Sequence, residues 1–249
     1  MKGEDMSISR RFSWLIPVIF IFLLPISAFG VSKEAQKHFD EAMRLKANEV
    51  SRAIVELKEA IRLEPKWVEA HYHLGTFYQH KKLFDDALRE YKTVGRLDPK
   101  YPKLHYVLGS LYYTQGVMAW TKAAQLDHSY LYKDDGKQVF YKKGTSPEKA
   151  IEPYKKIVEK DTSNALAFYN LRGVYYDLAI LEYQQAVKSY PKDTSAQYDF
   201  GLVYLERAKI DKAKEQIKIL EKLSPGHATG LQQQLDMEEA QRNMLKGKK

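Results

Sequence analysis

The stretch that decides the fold runs from Trp67 to Lys100 and reads WVEAHYHLGTFYQHKKLFDDALREYKTVGRLDPK. It contains two amphipathic helical patterns, and the second of them ends at Pro99. Residues at helical spacing share one face of each pattern. These are His71, Leu74, Gly75 and Tyr78 in the first pattern and Ala87 and Tyr91 in the second. Because Gly75 and Ala87 are small, two helix backbones can cross closely there, and the stretch predicts a helical hairpin.

This hairpin resembles the tetratricopeptide (TPR) repeat, whose pattern is W-x2-L-G-x2-Y, then A-x3-F, then P. His71 occupies the Trp position and Tyr91 the Phe position, and the other positions match directly. A second copy near the C terminus has Gln197, Phe200, Gly201, Tyr204, Ala213, Ile217 and Pro225. One hairpin cannot bury its own apolar face, so copies must stack. The resemblance therefore implies an all-α fold, an α-solenoid of about six TPR-like helical hairpins.

Two positions of the pattern can be followed along the chain in one register. The Ala87 position recurs as Ala53, Ala87, Gly116, Ala150, Ala179 and Ala213, in steps of 34, 29, 34, 29 and 34 residues. The Tyr78 position recurs as Tyr78, Tyr112, Tyr141, Tyr175 and Tyr204. Two steps form a tandem unit of 63 residues, in which every second copy lacks five residues between its Tyr and Ala positions. Those copies have either a shortened turn or two helices that run together, and the sequence leaves both alternatives open.

The ends of the solenoid and one internal segment depart from the repeat pattern. The first copy, residues 33–66, is degenerate, as is common for a terminal repeat. Residues 130–145 are consistent either with an irregular first helix, which the 34-residue step favours, or with a β-hairpin at Asp134-Asp135-Gly136. The domain boundaries that we predict are a signal peptide over 1–30, the solenoid over 31–226, and a capping helix with a basic tail over 227–249.

The N terminus has the features of a secretory signal peptide. Lys2, Arg10 and Arg11 precede an apolar run over 12–26, which Ala28-Phe29-Gly30 follows. We predict cleavage after Gly30 and a periplasmic or secreted protein. The alternative is a membrane anchor made by an uncleaved segment, but about 15 apolar residues are fewer than the roughly 20 that span a bilayer. Contact with a membrane is expected only through this segment.

Composition and motifs argue against several functional classes. The chain has 40 basic and 32 acidic residues, a formal charge of +8 and no cysteine, and its charges are interspersed, so we expect no nucleic-acid binding. It contains no P-loop, zinc-protease, nucleophile-elbow or dinucleotide-binding motif. His71, His73, His80 and His105 lack further ligands at helical spacing, which favours packing or solvated roles over metal binding. We therefore predict no enzymatic activity, no cofactor and no metal.

By resemblance to TPR proteins, the first helices of the repeats line a groove that binds peptides. Two positions of each first helix lie on one stripe of this groove. The first holds Tyr72, Tyr106, Tyr169 and Tyr198, and the second holds Gln79, Tyr113, Tyr176 and Leu205. Tyrosine offers apolar area and a hydroxyl with little rotamer entropy to lose. The alternative is that these rings only pack against the next helix.

The function that we predict is an exported, non-catalytic scaffold that holds a peptide or protein segment in this groove, during envelope assembly or secretion. The candidate groove residues are Tyr72, Gln79, Tyr106, Tyr113, Tyr169, Tyr176 and Tyr198. Family members that clamp a carboxylate use Lys and Asn in the groove, and the corresponding positions here hold other residue types, so carboxylate clamping is not expected. The alternative function is a glycan-binding or polysaccharide-handling envelope module, since tyrosine rings also stack on sugars.

Overall fold

In a computed structural model, residues 30–45, 49–132 and 146–246 are described. These ranges contain ten α-helices, one short 3-10 helix and no strand, which confirms the predicted all-α solenoid class. Residues 1–29 of the predicted signal peptide, residues 46–48, residues 133–145 with Tyr141, and the last three residues of the tail lie outside the described ranges. The helices are α1 (Lys33–Arg44), α2 (Val50–Leu63), α3 (Val68–His80), α4 (Phe84–Leu97), α5 (Leu104–Leu126), α6 (Pro147–Lys160), α7 (Ala165–Ser189), α8 (Thr194–Glu206), α9 (Ile210–Leu223) and α10 (Pro225–Lys246).

Three repeats form hairpins between helices that are neighbours in the chain. Helix α1 packs on α2, α3 on α4, and α8 on α9. Ala53, Ala87 and Ala213, which mark the second helix of each repeat, are fully buried. Helix α10 packs on both α8 and α9, and its Leu231 and Leu235 are fully buried against the last repeat. The apolar pattern of the last hairpin is thereby covered, as expected for a solenoid end.

The copies that lack five residues are not hairpins. Helix α5 runs through the third copy and α7 through the fifth, and neither is interrupted between the Tyr and Ala positions. Of the two alternatives that the sequence leaves open, the structure has the one in which the two helices run together. Helices α5 and α7 make the most extensive helix contact among the described elements.

Helices α5 and α7 pack antiparallel. Each half of α5 pairs with a half of α7 and not with the other half of α5, and we call this pairing the exchange of helix halves. In the α3–α4 hairpin, His71 Nδ1 lies 2.6 Å from Glu90 Oε2. The equivalent histidine of α5, His105, lies 2.8 Å from Glu182 Oε2 on α7, which is 77 residues away. The first half of α5 therefore takes its second helix from the second half of α7.

Ring contacts repeat the same exchange. The Tyr72 and Tyr91 rings of the α3–α4 hairpin have centroids 6.3 Å apart. The equivalent rings, Tyr106 on α5 and Tyr183 on α7, have centroids 6.1 Å apart. Tyr183 also covers Gly109, where an added Cβ would lie 2.9 Å from the ring, just as Tyr91 covers Gly75. The exchanged pair thus reproduces the contacts of an ordinary hairpin.

The exchange makes a branched solenoid. The main solenoid consists of α1–α4, the first half of α5, the second half of α7, and α8–α10. The branch consists of the second half of α5, the 3-10 helix His128–Tyr132, α6 and the first half of α7. Within the branch, Ala150 of α6 belongs to the same buried cluster as Tyr169 of α7, whose ring centroid lies 4.8 Å from that of Tyr130. The pairs of helices therefore do not follow one another in chain order.

Among the described helices, none is both long and apolar enough to cross a membrane.

Candidate functional site

Five of the seven predicted groove residues lie on consecutive first helices of the main solenoid. Tyr72 and Gln79 belong to α3, Tyr106 and Tyr113 to α5, and Tyr198 to α8, and each is partly exposed. We call these five residues the tyrosine surface. Gln79 Nε2 donates a hydrogen bond of 3.3 Å to Ser110 Oγ, which links α3 directly to α5. The branch therefore leaves the line of first helices unbroken.

The prediction of Tyr169 and Tyr176 as groove residues is wrong. Tyr169 is 1% exposed and Tyr176 is fully buried. Tyr169 lies in the branch, and Tyr176 lies at the middle of α7, where its ring packs against Gly116 of α5. The Arg172 guanidinium is 5.3 Å from the Tyr169 ring centroid and 5.4 Å from that of Tyr176. The exchange of helix halves turns both rings inward, and the Tyr176 ring lies behind Tyr113 of the surface.

At the α3 end, the tyrosine surface is fixed by neighbouring side chains. The Tyr72 ring centroid lies 5.1 Å from that of Tyr101 and 5.2 Å from that of His73. Tyr91, which is fully buried, donates a hydrogen bond of 3.0 Å from its hydroxyl to Gln79 Oε1. These contacts hold Tyr72 and Gln79 in place before any partner arrives, which lowers the entropy lost on binding.

At the α8 end, the surface contains a half-buried carboxylate. Asp199 accepts a hydrogen bond of 3.4 Å from the Tyr183 hydroxyl. Burial raises the pKa of Asp199 above its ordinary value, while hydrogen bonds from Tyr106 and Tyr183 act in the opposite direction. Among the described residues, no Lys or Arg forms an ion pair with Asp199. Sequence reasoning missed this residue, because only the structure places α8 beside the first half of α5.

The hydroxyls of Tyr106 and Tyr113 remain protonated. Burial raises the pKa of Tyr106 and of Tyr113 well above the ordinary value of 10.0. The nearby Asp199 carboxylate raises both pKa values further, and the Glu206 carboxylate also raises that of Tyr113. The Tyr113 ring stacks on Tyr176 with centroids 5.8 Å apart, so its position is fixed by the buried ring behind it. The surface therefore offers neutral hydroxyl donors, apolar ring area and one carboxylate.

His38, His71 and His105 connect paired helices through contacts with glutamates. Burial acts to lower the pKa of His71, but its hydrogen bonds to the Glu90 carboxylate and the Pro65 carbonyl outweigh burial and raise that pKa. His38 lies 2.7 Å from Glu56 in the first hairpin, in the same arrangement. In the described part of the chain, no group of three or more His, Cys, Asp or Glu side chains is placed to hold a metal ion.

A second candidate site, which the sequence did not reveal, lies where the branch leaves the main solenoid. A cleft of about 610 Å³ opens between the α3–α4 turn, the second half of α5 and the first half of α7, with Lys155 of α6 at its edge. We call it the branch cleft. Its apolar lining includes Leu83, Met118 and Phe168. No local motif announces it, because its walls come from helices that only the exchange brings together.

Comparison with known proteins supports part of this assignment. Residues 81–116 match the family model described as TPR repeat, which spans α4 and the first half of α5. The TPR resemblance is thus confirmed for this span. No curated protein sequence matches the chain.

Several solved structures align with most of the chain. The TPR protein TTC0263 of Thermus thermophilus is 20% identical, with 83% of this chain and 99% of that protein covered and a TM-score of 0.39. MamA, from residue 41 to its end, of Desulfovibrio magneticus RS-1 is 17% identical, with coverages of 82% and 98% and a TM-score of 0.37. YrrB, described as a TPR protein with an unusual peptide-binding site, is 18% identical, with coverages of 80% and 92% and a TM-score of 0.31. At these values the alignments say nothing about function.

Proposed function

We propose that this protein is an exported, non-catalytic scaffold that holds a peptide or protein segment against the tyrosine surface. The observation that carries the proposal is the row of partly exposed rings on three consecutive first helices, Tyr72, Tyr106 with Tyr113, and Tyr198. Aromatic rings fixed by buried neighbours are typical anchors of protein interfaces, because they bury much area and lose little entropy.

The chemistry of the surface favours binding over catalysis. Burial raises the pKa of Tyr72, Tyr106 and Tyr113, so these side chains act as hydrogen-bond donors and not as bases or nucleophiles. Asp199 lies among these hydroxyls, where it can accept further hydrogen bonds from N–H groups of a partner. A peptide in extended conformation supplies both N–H donors and apolar side chains, and it fits a row of rings and hydroxyls.

Site-specific photocrosslinking tests the binding surface. p-Benzoylphenylalanine is placed at Tyr113 or Tyr198 and, as a control, at Tyr190, which is 42% exposed at the end of α7 and outside the surface. After irradiation of the cells that produce the protein, we expect one protein adduct shared by positions 113 and 198 and absent at 190. Equal adducts at all three positions, or none at 113 and 198, would refute the assignment.

Alanine substitutions separate protein binding from glycan binding. Tyr113→Ala should weaken capture of the crosslinked partner while the helical circular dichroism spectrum is kept, and Tyr190→Ala should leave capture unchanged. The same variants are titrated with envelope polysaccharide in a calorimeter. Polysaccharide binding that depends on Tyr113, without a protein adduct, would replace the scaffold by the glycan-binding alternative.

Export is tested separately. We expect the protein in the periplasmic or secreted fraction, with Val31 as its first residue by N-terminal sequencing. A protein that keeps Met1 and sediments with membranes would support the anchored alternative instead.

A further inference from the structure

The branch cleft is separate from the tyrosine surface. Its volume, about 610 Å³, is within the range of sites that enclose small ligands or single anchoring groups, roughly 300 to 1,000 Å³. It contains none of the residues of the tyrosine surface. What occupies it has to be inferred from its floor, its walls and its mouth.

The floor has a buried amide with one end unpartnered. Gln115 is 8% exposed, and its Nε2 lies 3.5 Å from the Tyr175 hydroxyl. Within the described part of the chain, Gln115 Oε1 has no hydrogen-bond partner. Because the O and N atoms of an amide can be exchanged without changing its shape, either orientation leaves one end unpartnered. A buried polar group in this state is costly, so an occupant that pairs with it gains affinity.

The walls are apolar and partly exposed. Leu83 is 43% exposed and Met118 is 41% exposed, although both lie beside a cleft that could cover them. Phe168 and Leu171 complete the apolar lining from α7. A large aliphatic or aromatic side chain would remove this area from water, at roughly 25 cal/mol per Å².

The mouth is positively charged once existing ion pairs are counted. Lys155 is paired with Asp85 at 2.5 Å, and the carboxylate of Asp86 is paired with Arg89. Lys82 and Lys122 also line the cleft, and in the described ranges neither has a carboxylate partner. Two uncompensated ammonium groups beside an apolar cleft attract an anionic group on the occupant.

We propose that the branch cleft binds a protein segment in which one large apolar side chain stands beside an acidic residue. The apolar side chain fills the space between Met118 and Phe168, a peptide group pairs with the Gln115 amide, and the acidic side chain lies between Lys82 and Lys122. A peptide group fits the floor because it carries both N–H and C=O, so it satisfies the amide in either orientation. The branch cleft shares no residue with the tyrosine surface, so its test does not depend on the proposed function.

Methionine-methyl NMR of the purified protein tests the proposal. Met118 lies in the cleft, whereas Met237 and Met244 are exposed on α10 and serve as internal controls. The probe is the blocked peptide acetyl-Glu-Phe-Glu-amide, compared with acetyl-Lys-Phe-Lys-amide and acetyl-Glu-Ala-Glu-amide. We expect a saturable shift of the Met118 methyl signal with the first peptide. The other two peptides should bind with at least fivefold lower affinity, and the methyl signals of Met237 and Met244 should not shift.

Two variants assign the contacts. The double substitution Lys82→Ala with Lys122→Ala should weaken the acidic peptide roughly tenfold and reduce the salt dependence of binding, whereas Lys218→Ala on α9 should have no effect. Gln115→Leu, which keeps the core packed, should weaken binding of the acidic peptide at least tenfold. The proposal is overturned if the acidic peptide leaves Met118 unshifted, if the basic peptide binds equally well, or if decanoate shifts Met118 in a saturable way and the peptide does not.

Discussion

Replacing Thr114 by proline tests whether α5 is continuous where a hairpin would have its turn. Thr114 lies ten residues inside α5, and its hydroxyl donates a hydrogen bond of 2.8 Å to the Ser110 carbonyl, one turn earlier. Proline at this position removes a helix hydrogen bond and clashes with that carbonyl, at a cost of about 3 kcal/mol or more. For a chain of this size, 1 kcal/mol lowers Tm by about 2–4 °C, so Thr114→Pro should lower Tm by about 6–12 °C.

The matched control is Thr194→Pro. Thr194 is the first residue of α8, and Asp193 before it has an extended backbone, so proline fits there with little cost. Thermal unfolding followed by circular dichroism at 222 nm compares both variants with the parent protein. We expect the control to unfold within about 2 °C of the parent protein. Equal loss in the two variants, or a small loss in Thr114→Pro, would mean that residues 113–116 form a turn and that the helices do not exchange.

Three further substitutions have expected outcomes in urea unfolding. Gly116→Val should cost about 1–3 kcal/mol, because the added methyl groups meet the buried ring of Tyr176; unchanged stability would contradict this packing. Arg207→Ala should cost about 3–5 kcal/mol, because it leaves Asp177, 2.9 Å from the guanidinium and largely buried, without its ion pair; a cost under about 1 kcal/mol would show the pair to be solvated. Burial raises the pKa of Asp199, so the stability that this carboxyl contributes is present below its ordinary value of 3.8 and is lost as pH rises through the raised value. Asp199→Asn should therefore become more stable relative to the parent protein between pH 4 and pH 7, and a constant difference across that range would refute the shift.

The hairpins of α1–α4 and α8–α9 could be predicted from the sequence, because each is formed by residues that lie close together in the chain. Apolar residues at helical spacing fix the buried face of each helix, and Ala53, Ala87 and Ala213 lie at the crossings with no exposed area. The position of the capping helix followed from the same periodicity. By contrast, the pairing of α5 with α7 depends on contacts about 60 to 80 residues apart, to which no local pattern points.

The error at Tyr169 and Tyr176 has the same origin. Both residues occupy stripe positions in the repeat register, and the register alone would place them beside Tyr106 and Tyr113. The exchange moves the first half of α7 into the branch, where Tyr169 meets Tyr130. A repeat position therefore predicts the exposure of a side chain only when the order of helix pairs is known. That part of the candidate site, and Asp199, required the structure.

One sequence signal does distinguish the two arrangements. In the second repeat, the histidine position faces a glutamate, as His71 faces Glu90. Within the third copy, His105 would face Ala119, and within the fifth copy Phe168 would face Glu182. Each of those hairpins would pair a polar residue with an apolar one. Exchange instead places His105 beside Glu182, and it brings Phe168 and Ala119 together in the lining of the branch cleft.

The missing five residues explain why exchange is preferred over a shortened turn. In the second repeat, α3 ends at His80 and α4 begins at Phe84, so only three residues form the turn. Deleting five removes the whole turn and two helical residues, and a hairpin could then form only by unwinding both helix ends, which would expose backbone groups without partners. A continuous helix keeps those hydrogen bonds, and it places its second half out of reach of its first. The helix that pairs with it must then come from the other shortened copy. Each of the two shortened copies therefore supplies the packing partner that the other lacks. The branch cleft exists because neither copy can fold back on itself.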